Sequence, residues 1–447
     1  MKSITGILAL LAIYVPNQLH FPASLDQPGL NVFNLFFLIA LVVLFVGREA
    51  SSDETEGGAI ASRPSAPLRN VLLFYYFAIG ISLVTAIAWG SPHVFTDITV
   101  YKTIVTYSVL YFIAFHGIRE LRQARILLAV VLIVFAVASL EAIREGLAYG
   151  FERFNDAKRA AGPFSAGGAN ANFAGVYYSI FASFCLALAL FGTSLPRMVR
   201  LLAACFYAMG LIAIFATFSR QSFMIIGVTT LILTFKKTPL LGLLAFAALL
   251  NYAYWAPEGV IERVETTQQR NETGELVLED SAESRYVLWA AALDIFKDHP
   301  EGVGLNQFKR IVDPYMPSWI DARDAQNQYL LVAAESGIIG IVAYVSLLIA
   351  LLFQGLKLYW HTGPPEAKAL GMAFSIAVIA VMLGNLYSST FHMGELMGNF
   401  WILAGLISRY RFLATETLPS PDAAEVQMSP IERTRHVYGR WQRNPPG

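Results

Sequence analysis

Twelve apolar stretches dominate this chain, the first at about 4–22 and the last at about 396–412, most of them near the ~20 residues that carry a helix across a bilayer. A helix satisfies its own backbone hydrogen bonds, which is why apolar runs of this length are stable in lipid as helices. The expected fold class is therefore all-α, a polytopic membrane protein of about 12 transmembrane helices. Composition agrees, because only 14% of the 447 residues are charged and 56% are hydrophobic, whereas soluble domains carry about 25% charged residues. Mean hydropathy is +0.53. The least typical stretches are the first, which contains Pro16, and the eighth, which is short at about 221–236.

Formal charge sums to zero, so no overall basic field is present to attract nucleic acid, and none is expected as a partner. Where the charge lies is more informative. Arg48, Arg63 and Arg69, then Arg119, Arg122 and Arg125, then Arg197 and Arg200, Lys236 and Lys237, and Lys357 and Lys368 fall in alternate short connections. The positive-inside bias places all of these on the cytoplasmic side, with both chain ends there too. Lys2 and the apolar run from Ile4 to Val15 resemble a signal peptide, but no small-x-small cleavage site follows, and the run is read as an uncleaved first span. Cys185 and Cys205 both sit inside apolar runs, which argues against a disulfide framework.

This topology predicts one membrane domain over 1–412 and a flexible cytoplasmic tail over 413–447. The Ser-, Glu- and Gly-rich linker at 51–65 also reads as flexible. The opposite, external face receives a polar connection at about 147–171, the hairpin FSRQS, a long loop at about 256–325 and the turn around His392. The long loop is expected to contain an amphipathic helix with Tyr286, Trp289, Ala290, Leu293 and Phe296 along one face.

Three external arginines, Arg159, Arg220 and Arg285, are singled out because a guanidinium is always charged and binds phosphate oxygens two at a time. Each alone also reads as a snorkelling or solvated side chain. Together they suit a diphosphate at headgroup level, with Arg285 expected in the first turn of its helix, where the backbone favours an anion. Asp324 and Asn327 in DAQNQYL, and Asn170 and Asn172 in GGANANFAG, stand at the mouths of spans, where they read as helix caps or as polar contacts to a ligand. Glu335 lies two turns inside a span, where a carboxylate is costly and marks a functional group. His392 reads as an interfacial polar group or as a base. The chain has no zinc-type spacing of Cys and His, no Walker-type loop and no nucleophile elbow, which disfavours an ATP-driven pump.

The segments RAAGPFSAGGANANFAG, TFSRQSF, ESRYVLW, HPEGVG, DAQNQYL and ESGIIG, in this order over about 150–355, resemble the O-antigen ligase and O-antigen polymerase superfamily of bacterial envelopes. The resemblance implies a metal-independent, inverting membrane glycosyltransferase without a cofactor, acting at the periplasmic face of the inner membrane. Its donor would be an undecaprenyl-diphosphate-linked glycan, its acceptor a glycan or a lipid A core, and its surroundings membrane lipids. It implies diphosphate contacts from Arg159, Arg220 and Arg285, substrate contacts from Asn172, Asn327 and Tyr329, and catalytic roles around Gln326, Glu335 and His392. Ligases of this superfamily carry His where Gln326 stands. An amide takes up no proton at neutral pH, so Gln326 orients a hydroxyl at most, and Glu335 or His392 becomes the candidate base. That departure favours a polymerase over a lipid A core ligase. A lipid-linked oligosaccharide flippase is the competing reading, and a non-catalytic assembly partner a third.

Overall fold

The computed structural model describes residues 2–21, 31–53, 64–164, 171–266, 268–270, 276–278, 280–320, 324–361 and 364–416. Most of the 51–65 linker, Asn170 and the 417–447 part of the tail lie outside the described residues. Five helices come first: α1 (Lys2–Asn17), α2 (Val32–Asp53), α3 (Arg69–Ala88), α4 (Val94–Gly117) and α5 (Leu121–Tyr149). After them run α6 (Ala171–Phe191), α7 (Arg197–Thr217), α8 (Arg220–Lys237) and α9 (Pro239–Leu250). The connection that follows contains α10 (Glu258–Glu265), a two-stranded antiparallel ribbon of β1 (Gln268–Arg270) and β2 (Leu276–Leu278), α11 (Asp280–Asp298) and α12 (Phe308–Ile311). Three long helices close the chain: α13 (Gln328–Tyr359), α14 (Pro365–Gly384) and α15 (Gly394–Glu416).

Each of the twelve apolar stretches coincides with a helix, but they are not equivalent. Seven helices, α3, α4, α5, α6, α7, α13 and α14, are long and apolar enough to cross a membrane, whereas α1, α2 and α9 form shorter apolar segments. Helix α8 spends four of its 18 positions on Arg220, Gln221, Lys236 and Lys237 at its ends, and α15 carries Glu395, Arg409 and Arg411, so neither reads as a span by composition. The protein is a multi-pass membrane protein with at least these seven apolar helices.

Helices α6 and α14 form the centre: 78% of the apolar window of each is buried, against 22% for α7 at the periphery. Small side chains permit this closeness, as at Gly175, where an added Cβ would lie 2.2 Å from Ser222 Oγ. A second, smaller core is built from Leu288 and Ile295 of α11, Val303, Phe308 and Val312 of the following segment, and Ala334 of α13.

The buried face of α11 differs from the expected stripe. Leu288, Ala291, Ala292 and Ile295 are buried, while Tyr286 and Leu293 are exposed. The helix carries apolar residues on two stripes, and hydrophobic spacing alone does not say which one meets the α13 core. The helix also begins at Asp280, so Arg285 stands in its second turn and not at its N-terminus.

Candidate functional site

Polar groups gather at the end of the bundle where α7 terminates and α6, α8 and α13 begin. Their frame is an interlock between two of the sequence motifs. The backbone of HPEGVG runs against α13 around Glu335, Ser336 and Gly337: the Val303 N–H donates to Ala334 O at 2.9 Å, the Gly304 N–H to Glu335 O at 2.9 Å and the Ile338 N–H to Pro300 O at 3.0 Å. Gly337 interrupts α13 with φ +62, which leaves the Ile338 N–H free to turn outward. A Cβ at Gly337 would sit 2.4 Å from Pro300 O, and one at Gly302 would sit 2.6 Å from Glu335 O. The two motifs therefore need glycine for the same reason, the approach of one backbone to the other.

Two buried carboxylates tighten this interlock. Glu335 Oε1 accepts the Phe308 N–H at 3.1 Å. Asp97, fully buried in the first turn of α4, accepts from Ser91 Oγ at 2.5 Å, Asn306 Nδ2 at 2.8 Å and Gln307 Nε2 at 3.0 Å. Arg310 Nη1 donates to Ser91 Oγ and to Gln307 Oε1, both at 2.8 Å, and closes the network. Glu335 thus uses its carboxylate to hold the loop backbone, and the structure places it with this interlock and not in the arginine-lined cavity.

The arginines lie beside this frame. Arg220 opens α8 two residues after Phe218, whose left-handed φ of 47 makes the hairpin tight. Arg220 and Arg285 line one cavity of 410 Å³ with Gln221, Phe223, Tyr286, Trp289 and Tyr387. Arg159 is nearly buried; its Nε donates to Thr217 O at 2.9 Å, and Nη2 donates to Asn172 Oδ1 at 2.5 Å. Burial pushes the Arg159 guanidinium down to about 10, Asp156 opposes that shift, and the like charges of Arg263 and Arg285 add to it. Arg159 therefore feels the charges of Arg263 and Arg285, although it does not line the cavity that Arg285 shares with Arg220. Arg263, from α10, lies 4.1 Å above the Phe154 ring.

The other expected site residues divide by what they hold. Gln326, at φ 47, accepts from Arg285 Nε at 2.9 Å, and its own N–H donates to Asp324 Oδ1 at 2.7 Å. Burial pushes the Asp324 carboxyl up, while its hydrogen bonds and the Arg285 charge pull it down. Asn327 is the N-cap of α13, accepting from the Tyr329 and Leu330 amides at 3.0 and 3.2 Å. The Tyr329 hydroxyl donates to Met382 O at 3.1 Å, and Asn172 carries Arg159. His392 Nε2 lies 2.5 Å from the Tyr75 hydroxyl, and Gln328 Nε2 is 3.3 Å from His392 Nδ1. Burial pushes the His392 imidazole down to about 4, so the ring is neutral at physiological pH.

Asp97, Arg263 and Gln221 were not among the residues singled out from sequence. For Asp97 no signal existed, because it falls just before the apolar stretch at about 98–117 and reads there as part of a polar connection. Arg263 had none, because a charge in a long loop is unremarkable until α10 forms.

The chain is, as a class, a multi-pass membrane protein, with two guanidiniums on a cavity of mixed polar and apolar lining at one end of its bundle. Residues 203–345 match the family model described as O-antigen ligase, and this match supports the O-antigen ligase and polymerase superfamily that the motifs resemble. The matched region, about a third of the chain, contains Arg220, Arg263, Arg285, Gln326 and Glu335, and leaves Asp97, Arg159, Asn172 and His392 outside. No curated protein matches the sequence. The family implies glycosyltransferase-like activity of ligase or polymerase type, with lipid-linked glycan and acceptor substrates in general terms.

Proposed function

We propose that the protein extends or transfers a glycan carried on undecaprenyl diphosphate at the periplasmic face of the inner membrane, as a polysaccharide polymerase or ligase with twelve spans. The observation that carries this reading is the shape and charge of the arginine cavity. Arg220 and Arg285 line its polar part, and through Phe223 and Val264 it adjoins a second cavity of 410 Å³, lined by Leu211, Phe215, Ile226 and Leu249, between α7, α8 and α9. Cations beside a membrane-level apolar groove fit a diphosphate with a prenyl tail.

In this reading Arg159, Arg220 and Arg285 bind the diphosphate and stabilise the charge that grows on it as the glycosyl bond breaks. An acceptor hydroxyl attacks the anomeric carbon from the opposite side and inverts it, the sugar–phosphate C–O bond breaks, and the lipid diphosphate leaves with the electron pair. Asp324, raised by burial and adjacent to Gln326 and Arg285, takes the hydroxyl proton. Gln326 orients Arg285, Glu335 holds the loop, and His392 fixes the turn before α15. No step requires a metal.

The test is reconstitution in liposomes with a lipid-linked repeat unit, reading new glycosidic bonds. We expect Arg220→Ala and Arg285→Ala to lose activity by about 100-fold or more, the scale of removing one charge-stabilising donor. Lysine at either position should restore little, because the paired donors are gone. Full activity in both alanine variants would reject the diphosphate role. Movement of the lipid-linked glycan across the bilayer without bond formation would favour a flippase.

A further inference from the structure

The outward faces of two long helices contrast. Helix α5 presents Ile126, Ile133, Val137 and Leu140 to its surroundings, as suits a helix in lipid. Helix α4 instead exposes Phe95, Thr99 and Lys102, with Thr103 and Thr106 half-buried beside them. Phe95, Thr99, Lys102 and Thr106 recur at intervals of three and four residues and therefore share one face. Lys102 follows Val94, the first residue of this 24-residue apolar helix, by about 12 Å along the axis. Among the described residues no carboxylate pairs with it.

An ammonium within a span is costly and is normally turned inward or paired. The threonines around this one are already satisfied: Oγ1 of Thr99, Thr103 and Thr106 donates to the carbonyl four residues back, at 2.7, 2.8 and 2.7 Å. They leave a compact face of short side chains, the kind on which helices pack closely in lipid. A groove of 630 Å³ lies between α3 and α4, lined by Phe77, Ile81, Val84 and Tyr101, the last adjoining Lys102 in the chain. A second copy of this chain is a poor source of the missing counter-charge, because the carboxylates within its described apolar helices are engaged. Asp97 and Glu335 hold the interlock, Glu145 accepts the Ala161 and Gly162 amides at 2.9 and 2.8 Å, Glu141 lies 3.4 Å from His20, and Glu395 accepts from Gln18.

We propose that the face of α4 bearing Thr99, Lys102 and Thr106 docks a transmembrane helix of another membrane protein, one that carries a carboxylate at the depth of Lys102. The ammonium pairs with that carboxylate, the threonines let the two backbones approach, and the groove receives apolar side chains of the partner. Asp97, five residues earlier on the same helix, anchors the interlock, so a docked helix bears on the element that holds HPEGVG in place. This contact is independent of the diphosphate reading above.

The experiment reconstitutes the labelled full chain in phosphatidylcholine liposomes with synthetic single-span polyleucine helices, and reads association by energy transfer. One helix carries a single Asp at the depth of Lys102, one carries Lys there, and one is leucine throughout. We expect the Asp helix to bind the wild-type protein about 10-fold more tightly than the leucine helix, equivalent to about 1.4 kcal/mol, within the range of polar contacts between helices in lipid. Lys102→Met should erase that preference while leaving thermal unfolding unchanged, since the side chain is exposed. Lys102→Asp should transfer the preference to the Lys helix, a reversal that no general loss of structure produces. No preference in the wild type, or a preference that survives Lys102→Met, would overturn the docking surface. Loss of the wild-type preference in liposomes rich in phosphatidylglycerol would overturn it too, by making a lipid phosphate the occupant.

Discussion

Two neighbouring regions at the same end of the bundle treat buried charge in opposite ways. In the interlock, the carboxylates of Asp97 and Glu335 are surrounded by donors supplied by the chain itself, from Ser91, Asn306, Gln307 and the Phe308 amide. In the arginine region, burial is the main pressure on the charged form of Arg159, Asp156 opposes it, and the like charges of Arg263 and Arg285 add to it. A satisfied network holds structure together. The arginine region carries more cation than carboxylate, with only Asp156 and Asp324 set against Arg159, Arg263 and Arg285. Polar residues that look alike in sequence therefore separate into those enclosed by donors of the chain itself and those, such as Arg220 and Arg285, that line a cavity.

The sharpest way to break this comparison is at the glycine that joins the two motifs. Gly337→Ala places a Cβ 2.4 Å from Pro300 O at φ +62, and we expect loss of folded protein or destabilisation by about 3 kcal/mol or more. Thermal unfolding in detergent or nanodiscs checks it; an unchanged Tm would mean the interlock is not rigid. Next comes Asp97→Ala, which strands the amides of Asn306 and Gln307 in a buried site and should cost about 2–3 kcal/mol. Arg285→Gln should contrast with both. It removes a cavity guanidinium while glutamine keeps a polar side chain beside Gln326, so activity falls and Tm falls less than in Asp97→Ala. Equal losses of Tm in Asp97→Ala and Arg285→Gln would erase the distinction.

The helices were legible in sequence because apolar length is a local property, and each apolar stretch became a helix. Membrane crossing was less so: α8 and α15 carry charges towards their ends that dilute the signal that composition reads. Leu288 and Ile295 were missed as the buried face of α11 because a helix with two apolar stripes is resolved only by its partner, here α13. HPEGVG and ESGIIG were recognisable as motifs, yet nothing in either shows that Gly302 and Gly337 exist for each other. Of the three arginines singled out, Arg220 and Arg285 line one cavity, while Arg159 stays outside its lining, held by Thr217, Asn172 and Asp156. The contribution of Arg263 depends on tertiary approach and leaves no local trace.

His392, held by Tyr75 and Gln328 in the turn before α15, supplies the smallest expected effect. Burial holds its folded-state value near 4, below the ~6.5 of an unfolded chain. Between those values the unfolded state binds the extra proton, so the stability His392 contributes is complete above about pH 6.5 and is lost as pH falls toward 4. Tm of the wild-type protein should therefore decline over that window more steeply than Tm of His392→Asn, which has no proton to take up. Glycosyl transfer above pH 5 should show no step belonging to this ring, because it is already neutral there. If the ring held between Tyr75 and Gln328 instead acts as a base, activity would fall through a pKa that disappears in His392→Asn. His392 would then move from the satisfied network to the side of the molecule that awaits a substrate.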